Sequence, residues 1–184
     1  MSTTDLQKYT KGGYNPGRSF ITRALWYVVC HTFYSTPWVP FYGIKRVLLK
    51  LFGAEIGKNV VIKPRVLIKY PWLLSIGDYS WIGEGCWIDN LAQVTIGKNC
   101  CISQGVLIET GSHNYKNTDF KLITSQVVLE DGVWLCTKSI VTAGTVCQSH
   151  SVLAAGSVAP IKMLPYSIYK GNPAIKIKER EIND

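Results

Sequence analysis

An aliphatic residue returns every six positions along most of the chain beyond residue 55. Ile56, Ile62 and Ile68 form one set, Ile76, Ile82 and Ile88 a second, and Ile96, Ile102 and Ile108 a third. After a gap the count resumes with Leu129, Leu135, Val141, Cys147 and Leu153. The fifth position of each hexad is an independent check, because a tight corner excludes large side chains. It reads Val60, Val66, Ser80, Cys86, Ala92, Cys100, Val106, Ser112, Val133, Ser139, Thr145, Ser151 and Ser157, none of them large. Position two is Gly at residues 57, 77, 83 and 97, which marks places with little room for a side chain. Such an internal repeat predicts an all-β solenoid. Three hexads make a triangular coil, and each side is a short strand paired with the strand one coil away at about 4.8 Å. The count gives a parallel β-helix of about five coils over residues 53–160.

The register slips by two residues between Ile68 and Ile76 and again between Ile88 and Ile96, at corners near Lys69–Trp72 and Leu91–Val94. A third slip is larger: from Ile108 to Leu129 is twenty-one residues. A solenoid tolerates insertions at corners because only adjacent coils must stay in contact. Long insertions of this kind are where function tends to sit. This one, residues 109–128, is polar and contains His113.

Two further segments flank the repeat. Residues 1–52 hold an uncharged, aromatic stretch from Ala24 to Ile44, interrupted by His31, Thr32, Ser35, Thr36, Pro37 and Pro40. It predicts a helix near 18–35, a Pro-rich bend and a short basic helix near 43–51. Two readings fit it: an amphipathic cap on the end of the β-helix, or peripheral attachment to a membrane surface through interleaved Trp, Tyr, Arg and Lys. Residues 161–184 read as a short basic tail.

Composition narrows the class. Apolar residues make up 47% of the 184, which suits a folded chain and not a disordered one. The net charge of +8 is uneven, with seven cations against Asp5 in the first fifty residues and a second cluster at Lys162, Lys170, Lys176, Lys178 and Arg180. That charge suits an anionic membrane surface or a phosphorylated small molecule. No nucleic-acid-binding motif accompanies it, so nucleic acid is not an expected partner. The six cysteines include no CxxC pair, and the N-terminus lacks a signal-peptide pattern, so a reducing cytoplasm is the expected compartment.

Candidate chemistry is sparse. The three histidines, His31, His113 and His150, are far apart in sequence, so no three-imidazole metal site and no bound metal is expected. No nucleophile elbow or Cys/His motif is present. What remains is His113 in a polar loop. Histidine ordinarily titrates near neutrality, which suits it to take a proton from a hydroxyl. From the residues alone, a loop histidine with only local hydrogen bonds fits equally well.

The run Gly97-Lys-Asn-Cys-Cys-Ile-Ser-Gln-Gly-Val-Leu-Ile-Glu-Thr-Gly-Ser-His113 resembles the segment that leads to the catalytic His of sugar O-acetyltransferases. The stretches ending at Trp134, Ser157 and Ala174 continue that likeness, which covers about residues 45–180. The chain is thus similar to the hexapeptide-repeat acyltransferases. Ile-Lys-Pro-Arg65, Ile-Lys-Tyr-Pro-Trp72 and Trp-Ile-Asp-Asn90 bring it nearest to the WcaF-type enzymes of colanic acid and related exopolysaccharides. The resemblance implies a left-handed coil, against the usual right-handed crossover. It implies acetyl-coenzyme A as co-substrate, with no permanently bound cofactor, and transfer to a hydroxyl of a sugar or exopolysaccharide precursor. It also implies a homotrimer with sites between neighbouring subunits.

Residue by residue, the resemblance makes His113 the general base. Trp134 is expected beside the acceptor or the pantetheine arm, and Thr137, Ala155 and Gly156 along that arm. Lys178, with Arg180, is expected at the phosphates of coenzyme A. Each has a plainer role open to it: a corner aromatic, the small-residue demand of the repeat, or a solvated cation. Departures are also present. Pro160-Ile161-Lys162 stands where many relatives carry a Thr-Lys pair, Cys136 where a Gly is usual, and Gly83 where some sugar acetyltransferases place an acceptor-binding Asn. Glu84, Asp89 and Asn90 are the candidate substitutes for acceptor binding. A non-catalytic β-helix scaffold, and a same-fold enzyme with another acyl donor or an amino-sugar acceptor, remain as alternatives.

Overall fold

The structure, a computed structural model, describes residues 2–36 and 41–183. Pro37 and Pro40, the basis of the expected bend, lie outside the described residues. The repeat winds into a parallel β-solenoid with three faces: sheets of six, seven and four strands, in which every strand except the last of the chain pairs with its counterpart one coil away. On the first face Ile56, Ile76, Ile96, Leu129, Cys147 and Met163 stack inward, each at most 7% exposed. Ile62, Ile82, Ile102, Leu135 and Leu153 line the second face, and Ile68, Ile88, Ile108 and Val141 the third. Burying an apolar column on each face gives the solenoid one continuous core.

The coils number six, not about five. After Ala159 the inward position recurs at Met163, a four-residue step that ends the simple hexad count. The segment expected as a tail therefore carries strands. Lys162–Met163 joins the first face, Ser167–Gly171 joins the second, and Ala174–Glu179 folds back antiparallel on it.

Corners explain the small-residue positions. The fourth residue of the hexads takes a left-handed backbone even where it is not Gly: Asn59, Arg65, Tyr79, Asn99 and Lys138 have φ between 53° and 61°. The position-two glycines serve a different need. A Cβ on Gly77 would lie 2.6 Å from the carbonyl carbon of Gly97 in the next coil. Gly77→Ala should cost about 1–3 kcal/mol in urea unfolding, because the coils must part to admit it. Gly85, with φ +70° and open space around its Cα, should accept Asn, which already stands at the same hexad position at Asn59 and Asn99, for about 1 kcal/mol of backbone strain.

Two helices close the N-terminal end. The first, α1 (Phe20–Val29), starts at Ser19, whose Oγ accepts the Thr22 N–H, and runs on through a π-type turn over Cys30–Tyr34. The second is α2 (Tyr42–Leu51). An open solenoid end leaves backbone carbonyls bare, and helix side chains meet them. Trp26 Nε1 donates to the Ile68 carbonyl at 2.7 Å, Lys45 Nζ to Lys63 at 3.1 Å, and Arg46 Nη1 to Val60 at 3.0 Å. Lys45 is fully buried, and burial pulls its pKa below the ordinary lysine range. Two of the basic residues counted in the sequence thus serve as caps. No helix among the described residues is long and apolar enough to cross a membrane.

Candidate active site

The long insertion is a hairpin. It leaves the third face after Leu107–Glu109, runs out as Gly111–His113, returns as Leu122–Thr124 and re-enters the first face at Val127–Leu129. His113 pairs with Leu122 across it. The N-terminal segment lies over this hairpin and fastens it to the coil. Asp5 N–H donates to Thr118 and Leu122 N–H to Thr10, while Tyr14 donates its hydroxyl to the Leu91 carbonyl at 3.0 Å. Burial holds the Tyr14 pKa above its ordinary value, so the phenol stays a neutral donor.

The imidazole of His113 is fixed on two sides. Its ring stacks on Phe120, with centroids 4.4 Å apart and planes 8° from parallel. Its Nδ1 lies 2.9 Å from the Phe120 carbonyl oxygen. A carbonyl only accepts, so Nδ1 carries a proton, and in the neutral ring Nε2 is the nitrogen open to accept one. Phe120 itself has φ +45°, a strained conformation for a bulky residue, and that conformation presents both its ring and its carbonyl to His113.

His113 lines a cavity of about 560 Å³ at the corner between the third and first faces. Lys69, Asp89 and Glu109, the residues after Ile68, Ile88 and Ile108, stack along its wall, and Lys69 Nζ sits 2.8 Å from Asp89 Oδ1. Tyr9, Tyr14 and Arg23 close it from the N-terminal segment. Of the three expected acceptor residues, only Asp89 reaches this cavity. Asn90 is fully buried: its side-chain amide donates to the carbonyls of Tyr70 and Leu73, and its Oδ1 accepts the Tyr70 N–H. It shapes the corner and offers a ligand nothing. Glu84 lies on the other edge of the third face, in an exposed ion pair with Arg65 at 3.5 Å.

The expected coenzyme-side residues gather at that second edge, between the second and third faces. Trp134 is partly exposed and donates Nε1 to Ser103 Oγ at 3.0 Å, and Thr137 donates to Gln104 Oε1 at 3.3 Å. The Gly156 amide is taken by the Thr137 carbonyl at 3.0 Å, whereas the Ala155 amide has no backbone acceptor among the described residues. Arg180 Nη1 is held by the carbonyls of Gly132 and His150, at 3.0 and 3.1 Å, so it is not free for a phosphate. Lys178 is exposed opposite Ile168, and Lys170 stands nearer the corner on the same hairpin. Cysteine chemistry is disfavoured: burial pushes the thiols of Cys86 and Cys100 up to about 11 and that of Cys147 up to about 12.

Comparison with known proteins fits this arrangement. No protein-family model matches the chain. The colanic acid biosynthesis acetyltransferase named WcaF, of Escherichia coli, is 39% identical over 167 residues, which span 89% of this chain and 90% of the relative. The chain belongs to the WcaF-type acetyltransferases. More distant members of the wider group share the repeat: the galactoside O-acetyltransferase of E. coli is 27% identical over 76% of this chain and 70% of its own length. A hexapeptide-repeat acetyltransferase of Vibrio cholerae, solved with acetyl-coenzyme A, superposes with a TM-score of 0.81 at 22% identity, covering 96% of this chain and 98% of the other. At that identity the match establishes the common fold. In this WcaF-type chain, the sequence reading missed Tyr9, Tyr14, Arg23, Lys69 and Glu109 as cavity residues. Lys69 and Glu109 were reachable by hexad position, since both align with Asp89.

Proposed function

We propose that this acetyltransferase moves an acetyl group from acetyl-coenzyme A to a hydroxyl of a sugar-type acceptor held beside His113. The observation that carries the reading is the tautomer: Nδ1–H donates to Phe120 and leaves Nε2 as a ready proton acceptor in the wall of a polar cavity. In this scheme Nε2 takes the hydroxyl proton as the acceptor oxygen attacks the thioester carbon. The tetrahedral oxyanion then collapses, the C–S bond breaks, and the imidazolium returns its proton to the departing thiolate. Trp134, Thr137 and the free Ala155 amide would border the pantetheine arm, and exposed Lys178 and Lys170 would meet phosphates.

The two half-sites lie at different corners of one convex prism, separated by the width of the third face, roughly 10 Å or more. In this reading a second copy of the chain brings its coenzyme edge to this chain's His113, in a homotrimer with shared sites. A coenzyme-A-release assay over sugars, nucleotide sugars and lipid-linked oligosaccharides tests the function. Release that depends on a hydroxyl acceptor supports it. Release with amino sugars alone favours the N-acyl variant, and none at all returns the chain to a scaffold.

We also propose a cytoplasmic enzyme at the inner membrane surface. Phe20, Ile21, Leu25, Tyr27 and Val28 of α1 are 57–76% exposed, so this helix is apolar on its outer side too. Flotation with anionic vesicles is expected to carry the protein upward, and Ile21→Asp with Leu25→Asp to leave it at the bottom.

A further inference from the structure

The wall of the His113 cavity carries a charge pattern that the solenoid does not need. Lys69, Asp89 and Glu109 hold the same outward position on three consecutive coils, each about 4.8 Å from the next. The order of charge is plus, minus, minus. Lys69 Nζ lies 2.8 Å from Asp89 Oδ1, and Arg23 borders the cavity beside Lys69, Tyr70 and Asp89, where it continues beneath α1. Glu109 lies away from both cations: with Gly111 and His113 it lines only the polar part. It is half-buried, in register with Asp89, and pairs with no cation among the described residues. The next coil brings Thr142 to this position, which supplies no charge either. Like charges in register on adjacent strands destabilise a sheet, so Glu109 costs stability beside Asp89 and the fold returns nothing for it. What an unpaired carboxylate in a polar cavity can do is accept two hydroxyl hydrogen bonds, each strengthened by its charge.

We propose that Glu109 determines acceptor specificity: its carboxylate accepts hydrogen bonds from two neighbouring hydroxyls of the ring, beside the hydroxyl whose proton His113 takes. A carboxylate spans adjacent hydroxyls much as it spans the two N–H groups of an arginine fork. Asp89 is unsuited to that task, because Lys69 already occupies it. The free charge of Glu109 has a second consequence, since a like charge is the repulsive element of a selective site. A ring that bears its own carboxylate near those hydroxyls is rejected.

This proposal rests on the acetyl-transfer reading only for the place of the reacting hydroxyl. Ring binding is therefore measured without acetyl-coenzyme A, and the two readings can fail separately. The probes are the methyl glycosides of glucose, galactose and mannose and the corresponding methyl uronides, titrated by saturation-transfer nuclear magnetic resonance. At least one neutral glycoside should bind. Glu109→Gln should weaken it by about tenfold, the difference between a charge-assisted hydrogen bond and a neutral one, and should tighten the matching uronide. Glu109→Asp, with the charge on a shorter arm, should weaken the neutral glycoside yet still reject the uronide. A deoxy glycoside lacking one of the two hydroxyls should lose part of its affinity for the wild type, and Glu109→Gln should weaken it further by less than it weakens the parent glycoside. Glu109→Gln should also melt about 1–2 °C above the wild type at low salt, because the repulsion from Asp89 is gone, and high salt should shrink that gain. The proposal is overturned if no neutral glycoside binds, or if Glu109→Gln binds one as the wild type does. It is also overturned if that variant melts lower and loses every ligand alike, as a purely structural residue would. The expected binding pattern without coenzyme A release on any acceptor would retain Glu109 as a sugar ligand and reject acetyl transfer.

Discussion

His113→Ala should slow acceptor-dependent release of coenzyme A by about 10²–10⁴, the usual worth of a positioned general base. The affinity for acetyl-coenzyme A should change little, because Trp134, Thr137 and Ala155 lie on the other edge of the third face. A second variant tests the orienting device. Phe120→Gly keeps the carbonyl that accepts from Nδ1 and fits the left-handed backbone, yet removes the stacked ring. It should lower kcat by less than His113→Ala and leave the fold intact, as judged by its melting transition. Wild-type kcat in His113→Ala with the true acceptor would place the base elsewhere.

The scaffold was legible because the physics of the repeat is local and periodic. Ile at position one, a small residue at position five and Gly at position two each answer to a contact with the next coil, so the hexad count found the three buried columns. It undercounted where a corner shortened, between Ala159 and Met163. The insertion was visible as a gap, but its hairpin was not, since its strands pair only with each other and are half exposed. Asn90 shows the limit of reading polarity as function. A buried corner needs its backbone groups satisfied, and an Asn side chain does that as readily as it would bind a ligand. Arg180, Lys45 and Arg46 teach the same for charge: each meets backbone carbonyls that no sequence pattern reveals. The N-terminal wall of the cavity was beyond reach. Tyr9, Tyr14 and Arg23 share the cavity of His113 only because the chain ahead of the solenoid turns back across coils more than fifty residues away.

Mixing two inactive variants should restore activity, and this is the sharpest consequence of a divided site. In one variant His113→Ala removes the base. In the other, Ala155→Arg places a long side chain on the exposed edge where the pantetheine arm is proposed to run, at a position that carries no core contact. Each variant alone should be close to inactive. If each site takes its base from one subunit and its coenzyme edge from the next, subunits randomised by dilute denaturant and refolding will form some intact sites. A site is whole when its base comes from the Ala155→Arg chain and its edge from the His113→Ala chain. With equal amounts this occurs at about a quarter of the sites, so about a quarter of wild-type turnover is expected in a closed ring. A site built within a single chain gives no recovery at any mixing ratio, because every chain then carries one defect in its own site. The mixed sample should keep the wild-type affinity for acetyl-coenzyme A at its working sites. That separates true complementation from a slow leak in either parent, whose residual rate would scale linearly with its own fraction.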